Sequence, residues 1–115
     1  MNSRDKGARG ERELAHYLEK WGCKARRGQQ YCGANGDADV IGLDGIHIEC
    51  KRVEHLNIDK AMQQSYDDAY AESLKQGREM IPTVWHRRNN TKWKVTLFAD
   101  DFMKLYKGGS EGGTR

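Results

Sequence analysis

The chain is poor in the residues that staple or anchor a fold. It has one proline and three cysteines in 115 residues. An odd cysteine count with no CxxC pair makes no disulfide framework. Cys23, Cys32 and Cys50, taken with His47 and His55, also lack zinc-finger spacing. No apolar run approaches the roughly 20 residues that cross a bilayer, and the first residues are polar with no signal-peptide core. These absences argue against membrane and secretory classes and predict a reduced, cytoplasmic protein. Its minimal size suits a phage or mobile-element origin. Hydrophobic residues make up 37% and charged residues 32%, which predicts a modest core under a heavily charged surface.

The charges are segregated. Residues 1–30 hold eight Lys/Arg against four Asp/Glu, residues 31–80 five against ten, and residues 81–115 seven against three. Two basic flanks around an acidic middle suit a protein that grips a polyanion while concentrating carboxylates for a task. The plainer alternative, a mixed and solvated surface, stays open on charge alone.

The length is one domain's worth, read as residues 1–107 with a flexible Gly-rich tail over 108–115 (GGSEGGTR). Leu14, Leu18 and Trp21 fall at helical spacing before Gly22, predicting a helix over Asp5–Trp21. A basic segment, Cys23–Gln30, runs into a Gly-rich loop at Gly33–Gly36. Two strand-like runs follow, Asp37–Leu43 and Ile46–Val53, split by a turn signal at Asp44–Gly45. A second helix fits Ile58–Gln76, closed by Gly77, with Ala61, Ser65, Ala69 and Leu74 as a small-residue face. Ile81–Arg87 and Trp93–Phe98 read as a hairpin around Asn89–Asn90, and Asp100–Tyr106 as a last short helix. The order αβββαββα describes an α/β fold, one small mixed sheet flanked by helices.

Three features carry chemistry. Glu11 continues the Leu14–Leu18 stripe one turn beyond the core, although an ordinary first-turn Glu would look the same and Glu13 has equal claim to that role. Period 2 places Glu49 and Lys51 on one strand face, with Ile46, Ile48 and Cys50 on the other as core. A three-residue loop, Leu43–Asp44–Gly45, pairs Val40 with Ile48 and sets Asp39 opposite Glu49, provided that Gly45 adopts a left-handed conformation. Opposed carboxylates repel unless a cation lies between them. Lys51 or a divalent metal would serve, and an oxygen-rich site favours Mg²⁺ or Mn²⁺ over zinc.

The ordered set Glu11, Asp39, Glu49-Cys50-Lys51 resembles the PD-(D/E)xK nuclease superfamily. The opening Gly7-Ala8-Arg9-Gly10-Glu11-Arg12-Glu13-Leu14 is similar to the start of archaeal-type (Hjc-like) Holliday junction resolvases. The likeness covers about residues 4–55. It implies a restriction-endonuclease-like fold and a metal-dependent, structure-selective endodeoxyribonuclease acting on branched or four-way DNA as a homodimer. Residue by residue it implies Asp39 and Glu49 as Mg²⁺ ligands, with Mn²⁺ substituting. The backbone carbonyl of Cys50 lies beside them, Glu11 acts through a second metal or the water shell, and Lys51 is the catalytic cation. Asp39 is preferred to Asp37 because Val40-Ile41 follow it. The family's Pro is replaced by Ala38. Gln63 or Gln64 would fill a further polar position on the second helix.

Arg4, Lys6, Arg9, Arg12, Arg26 and Arg27 are suited to phosphate contacts. Trp85, Trp93, Phe98, Phe102 and Tyr106 offer apolar material for a dimer interface, though most of them are expected to complete the monomer core. Two rivals remain: a nicking, flap or end-processing nuclease with the same active site, and a non-catalytic nucleic-acid-binding module.

Overall fold

Apolar residues at positions 14, 15 and 18 of the first helix, α1 (Ser3–Lys20), turn one side of it onto the sheet, where Leu14, Ala15 and Leu18 are buried. The computed structural model describes residues 3–28 and 38–111, with side chains for 7–28 and 38–108. Beyond α1, its elements are β1 (Arg26–Arg27), β2 (Val40–Ile41), β3 (Ile46–Arg52), α2 (Ile58–Gln76), β4 (Ile81–Arg87), β5 (Lys94–Thr96) and α3 (Ala99–Glu111). The order αβββαββα is the one expected. Strands lie in chain order across a five-stranded sheet, antiparallel except for the central β3–β4 pair.

That parallel pair requires a crossover, and α2 supplies it. Asn57 caps its start by accepting the Lys60 amide at 3.1 Å, and Gly77 ends it in a left-handed conformation. Ala61, Ser65 and Ala69 are buried as expected, together with Met62. Leu74 is exposed: it stands five residues after Ala69, off the four-residue row. Ser65 Oγ donates to the Thr83 carbonyl at 2.9 Å, fixing α2 on β4.

Because helices cover both faces of the central strands, β3 is buried on both sides. Val40, Ile48 and Cys50 pack with α1, and Ala61 and Met62 of α2 pack with Val84. His47 and Glu49, on the face expected to be polar, are 0% and 3% exposed.

The β2–β3 register pairs Val40 with Ile48 as predicted, but the expected three-residue loop is not formed. The Ile46 amide donates to the Leu43 carbonyl at 3.1 Å, a turn around Asp44–Gly45 with Gly45 at φ +78°, and Gly42 just before it stands at φ +144°. Strand β2 is shorter than expected, ending at Ile41. Trp21 lies beyond the end of α1 and is exposed, because the chain turns through Gly22 at φ +88°. Helix α3 runs to Glu111, past the expected Tyr106. Trp85 and Trp93 pack against the core, whereas Phe98, Phe102 and Tyr106 stay exposed. The expectation that most of these aromatics complete the monomer core is therefore corrected. Helix α3 turns an apolar side outward, and Tyr66 of α2 meets Phe98 edge-on at 6.1 Å.

Candidate active site

Asp39 is fixed from three directions. Its amide donates to the Ile48 carbonyl at 2.9 Å, its carbonyl accepts from Gly28 at 2.9 Å, and its Oδ2 accepts the Cys50 amide at 2.8 Å. With Val40 already the partner of Ile48, Asp39 and Val40 both bond or pair at Ile48. Asp39 thus leaves the simple ladder and reaches β3 through its side chain. It is 9% exposed. Its charge still bears on both Glu49 and Glu11 and raises their pKa values.

Glu49 belongs to a ladder of polar contacts between β3 and α2. Alternate residues on a strand are about 6.6 Å apart, and residues four apart on a helix about 6 Å apart, so the two series stay in step over three rungs. At one end Lys51 Nζ donates to Gln64 Oε1 at 3.3 Å. At the other His47 Nδ1 lies 2.7 Å from Glu72 Oε1. On the middle rung Glu49 faces Asp68. Glu49 also stands 3.9 Å from Lys51 Nζ and 3.8 Å from His47 Nε2.

The electrostatics follow from burial and like charge. Burial raises the Glu49 pKa, with Asp39 adding to it and His47 and Lys51 opposing. Glu11 is raised by burial and then by Asp39, against the pull of Arg27. Asp68 is raised mainly by burial. Burial alone would lower the His47 pKa, but the carboxylates of Glu49 and Glu72 outweigh it and the net shift is upward. Carboxylates held against their ionised form in this way are a site that a cation relieves.

Asp39, Glu49, Lys51 and Gln64 are therefore brought to one place, and Glu11 lies within electrostatic reach of Asp39. Gln63 points elsewhere, donating to Asp67. Arg27 Nε holds Glu11 Oε1 at 3.0 Å. Arg9, Arg12 and Arg26 are exposed on α1 and the edge strand β1. Asp37, Cys32 and the Gly33–Gly36 loop lie outside the described residues, as do the side chains of Arg4 and Lys6.

Glu13 does more than an ordinary helix-surface Glu. It accepts from Arg52 Nε at 3.1 Å and from Arg87 Nη1 at 2.7 Å, tying α1 to β3 and β4. His47, Asp68 and Glu72 were not singled out by sequence reasoning. The available signal was parity: His47 shares a strand face with Glu49 and Lys51, and Gln64, Asp68 and Glu72 share a helix row.

A family model described as archaeal Holliday junction resolvase (hjc) matches residues 2–99. The chain belongs to that family. It is a Holliday junction resolvase, a nuclease that hydrolyses the backbone of branched DNA, and the family points to a divalent metal. Among solved structures, the Holliday junction resolvase Hjc of the archaeal hyperthermophile Archaeoglobus fulgidus is similar to this resolvase. It has 21% identity and a TM-score of 0.57 over 77% of this chain and 73% of that one, a likeness of fold. A comparison with curated proteins finds no match. Among the described residues, no helix is long and apolar enough to cross a membrane.

Proposed function

We propose that the resolvase cuts through a centre in which Asp39 and Glu49 hold Mg²⁺, with Mn²⁺ as a substitute, and Lys51 is the catalytic cation. The observation that carries this is the convergence of two buried carboxylates, 9% and 3% exposed, beside one lysine on β3. Oxygen donors whose charges oppose each other are the chemistry that a hard divalent ion satisfies. The carbonyl of Cys50, whose amide bonds Asp39, would serve as a further ligand, and Glu11 would act through the water shell. When bound, the ion polarises a phosphate oxygen and makes water a competent nucleophile at neutral pH.

The protein's own groups do the positioning. Gln64 restrains the Lys51 ammonium, which would hydrogen-bond the attacking water and offset the charge that builds on phosphorus. The backbone and side-chain bonds of Asp39 hold its carboxylate in place without reorganisation. Arg9 and Arg12, exposed on α1, and Arg26, exposed on the edge strand β1, suit backbone phosphates, and Arg4 and Lys6 continue the same basic helix. Arg27 bridges that surface to Glu11. We place the protein in the cytoplasm and take its working unit as a two-fold dimer, since a junction needs two symmetric cuts. The exposed Phe98, Phe102 and Tyr106 support that assembly.

The test is cleavage of a labelled four-way junction in Mg²⁺, Mn²⁺ or EDTA, beside duplex, flap and single-stranded DNA. Paired symmetric nicks in the junction, lost in EDTA, are expected. Cutting spread evenly over all substrates would remove the junction selectivity. Junction binding without cutting in either metal would overturn the catalytic assignment.

A further inference from the structure

The middle rung of the β3–α2 ladder is unlike its neighbours. The outer rungs are closed by hydrogen bonds, Lys51 to Gln64 and His47 to Glu72. The middle one sets two carboxylates, Glu49 and Asp68, face to face. Into the space between them points His47 Nε2, on a side chain that is 0% exposed. Glu49 Oε1 is 3.8 Å away, too far for a hydrogen bond. Among the described residues, Nε2 is the one buried side-chain nitrogen or oxygen with no hydrogen-bond partner. Such an atom is costly in a fold unless something occupies the space it faces.

We propose that His47, Glu49 and Asp68 form a second cation site, selective for an imidazole-accepting ion of the Zn²⁺ class, distinct from the oxygen-only centre at Asp39. Ligand atoms of these three residues all lie within 4.8 Å of one another. A tetrahedral ion with bonds of about 2.1 Å needs its ligands about 3.4 Å apart. The His47–Glu49 separation of 3.8 Å is nearly that already. Most of the remaining closure falls to Asp68, which is only partly buried and free of the sheet. A fourth position is left for water.

Glu72 supplies the second half of the argument. Its Oε1 lies 2.7 Å from His47 Nδ1, so Nδ1 carries a proton. An entering cation would displace the proton that the two carboxylates favour on Nε2 and take that nitrogen's lone pair between Glu49 and Asp68. A carboxylate behind a histidine in this way is the outer partner that orients a metal-binding imidazole and raises its basicity. Gln76 Nε2 in turn donates to Glu72 Oε2 at 2.7 Å, fixing that partner. One imidazole and two carboxylates suit Zn²⁺ and its relatives, whereas Mg²⁺ prefers oxygen and keeps its waters. The ion joins α2 to β3 and shares Glu49 with the proposed cutting centre. Glu49 is common to both, so the two centres are told apart through Asp39, which serves only the cutting centre, and through His47 and Asp68, which serve only this one.

The experiment uses the full chain carrying Asp39→Asn, which removes a carboxylate of the cutting centre, titrated with Co²⁺ as a spectroscopic stand-in for Zn²⁺. One tight Co²⁺ is expected, with visible d–d absorption and a strongly shifted histidine ring signal in the proton spectrum. Adding His47→Gln should abolish the shifted signal and weaken binding more than tenfold. Asp68→Asn, an isosteric change at a partly exposed helix position, should also weaken binding more than tenfold. Glu72→Gln should cost about 10–100-fold, the range seen for outer partners. If His47→Gln fails to fold, the Asp68→Asn arm decides. Absence of tight Co²⁺ binding in the Asp39→Asn protein, or binding unaltered by Asp68→Asn, would overturn the proposal. Loss of junction cutting in Asp39→Asn bears only on the cutting centre.

Discussion

Two glycines three residues apart in α1 make a paired stability test. Gly10 is buried, and a Cβ added there would stand 2.6 Å from Arg52 Cβ and 3.3 Å from Arg52 Cγ. Ordinary contact needs about 3.4 Å or more, so α1 and β3 must separate locally by most of an ångström. Arg52 cannot swing aside cheaply, because Nε is held by Glu13 at 3.1 Å and Nη2 by Asn89 at 3.0 Å. Gly7 has nothing within 4 Å of the same added atom. Replacing a helical glycine by alanine gains about 0.5–1 kcal/mol from backbone entropy at either position. Overpacking costs about 1–3 kcal/mol and applies only at Gly10. Gly7→Ala should therefore raise stability by about 0.5–1 kcal/mol, and Gly10→Ala should lie about 1–3 kcal/mol below it. Urea unfolding of both variants gives the difference directly, and in thermal melts it should appear as about 4–12 °C. If Gly10→Ala proved as stable as Gly7→Ala, the close approach of α1 to β3 at Arg52 would be refuted.

Other consequences concern groups around the site. Glu13→Ala removes two charge-assisted bonds, from Arg52 and Arg87, at a side chain that is 36% exposed. Solvent screening reduces the loss to about 1–2 kcal/mol, and a change within about 0.3 kcal/mol in denaturant unfolding would contradict the structural role. The Cys50 thiol pKa is pushed far up by burial and then by the charges of Asp39 and Glu11. Iodoacetamide at pH 8 should leave Cys50 unmodified in the folded protein and modify it in urea, read by peptide mass spectrometry. Modification of native Cys50 at the rate of a free thiol would show that the surrounding carboxylates do not act as described.

Much of the fold was legible because local signals agreed with tertiary demands. The bounds of α2 and β4 followed from their flanking glycine and turn residues. The pairing of Val40 with Ile48 followed from parity, and Gly45 is left-handed at φ +78° as expected, although the turn closes from Leu43 to Ile46 and not as a three-residue loop. The residues of the proposed cutting centre were legible for the same reason: Glu49 and Lys51 share a face, and Asp39 had to reach it.

What was missed depended on contacts between elements. Parity separated the Glu49 face from the Ile48 core face but did not show that the parallel β3–β4 pair brings α2 across it and buries His47 as well. Nothing local reveals that α2 runs in step with β3, so the match of His47, Glu49 and Lys51 to Glu72, Asp68 and Gln64 was not visible. Leu74, Phe98, Phe102 and Tyr106 looked like core by composition alone and are exposed. Hydrophobic residues whose facing element is not known from the sequence carry no address.

The most direct test of the account is single-turnover cleavage of a four-way junction by Asp39→Asn and Lys51→Ala, with junction affinity measured in parallel. Each variant should bind the junction about as well as the parent chain, because the arginines of α1 and β1 are untouched. Cleavage should fall by about 10²–10³ or more, the cost of removing one group that stabilises developing charge. Cleavage within tenfold of the parent at saturating junction would mean that the DNA is cut elsewhere on the protein.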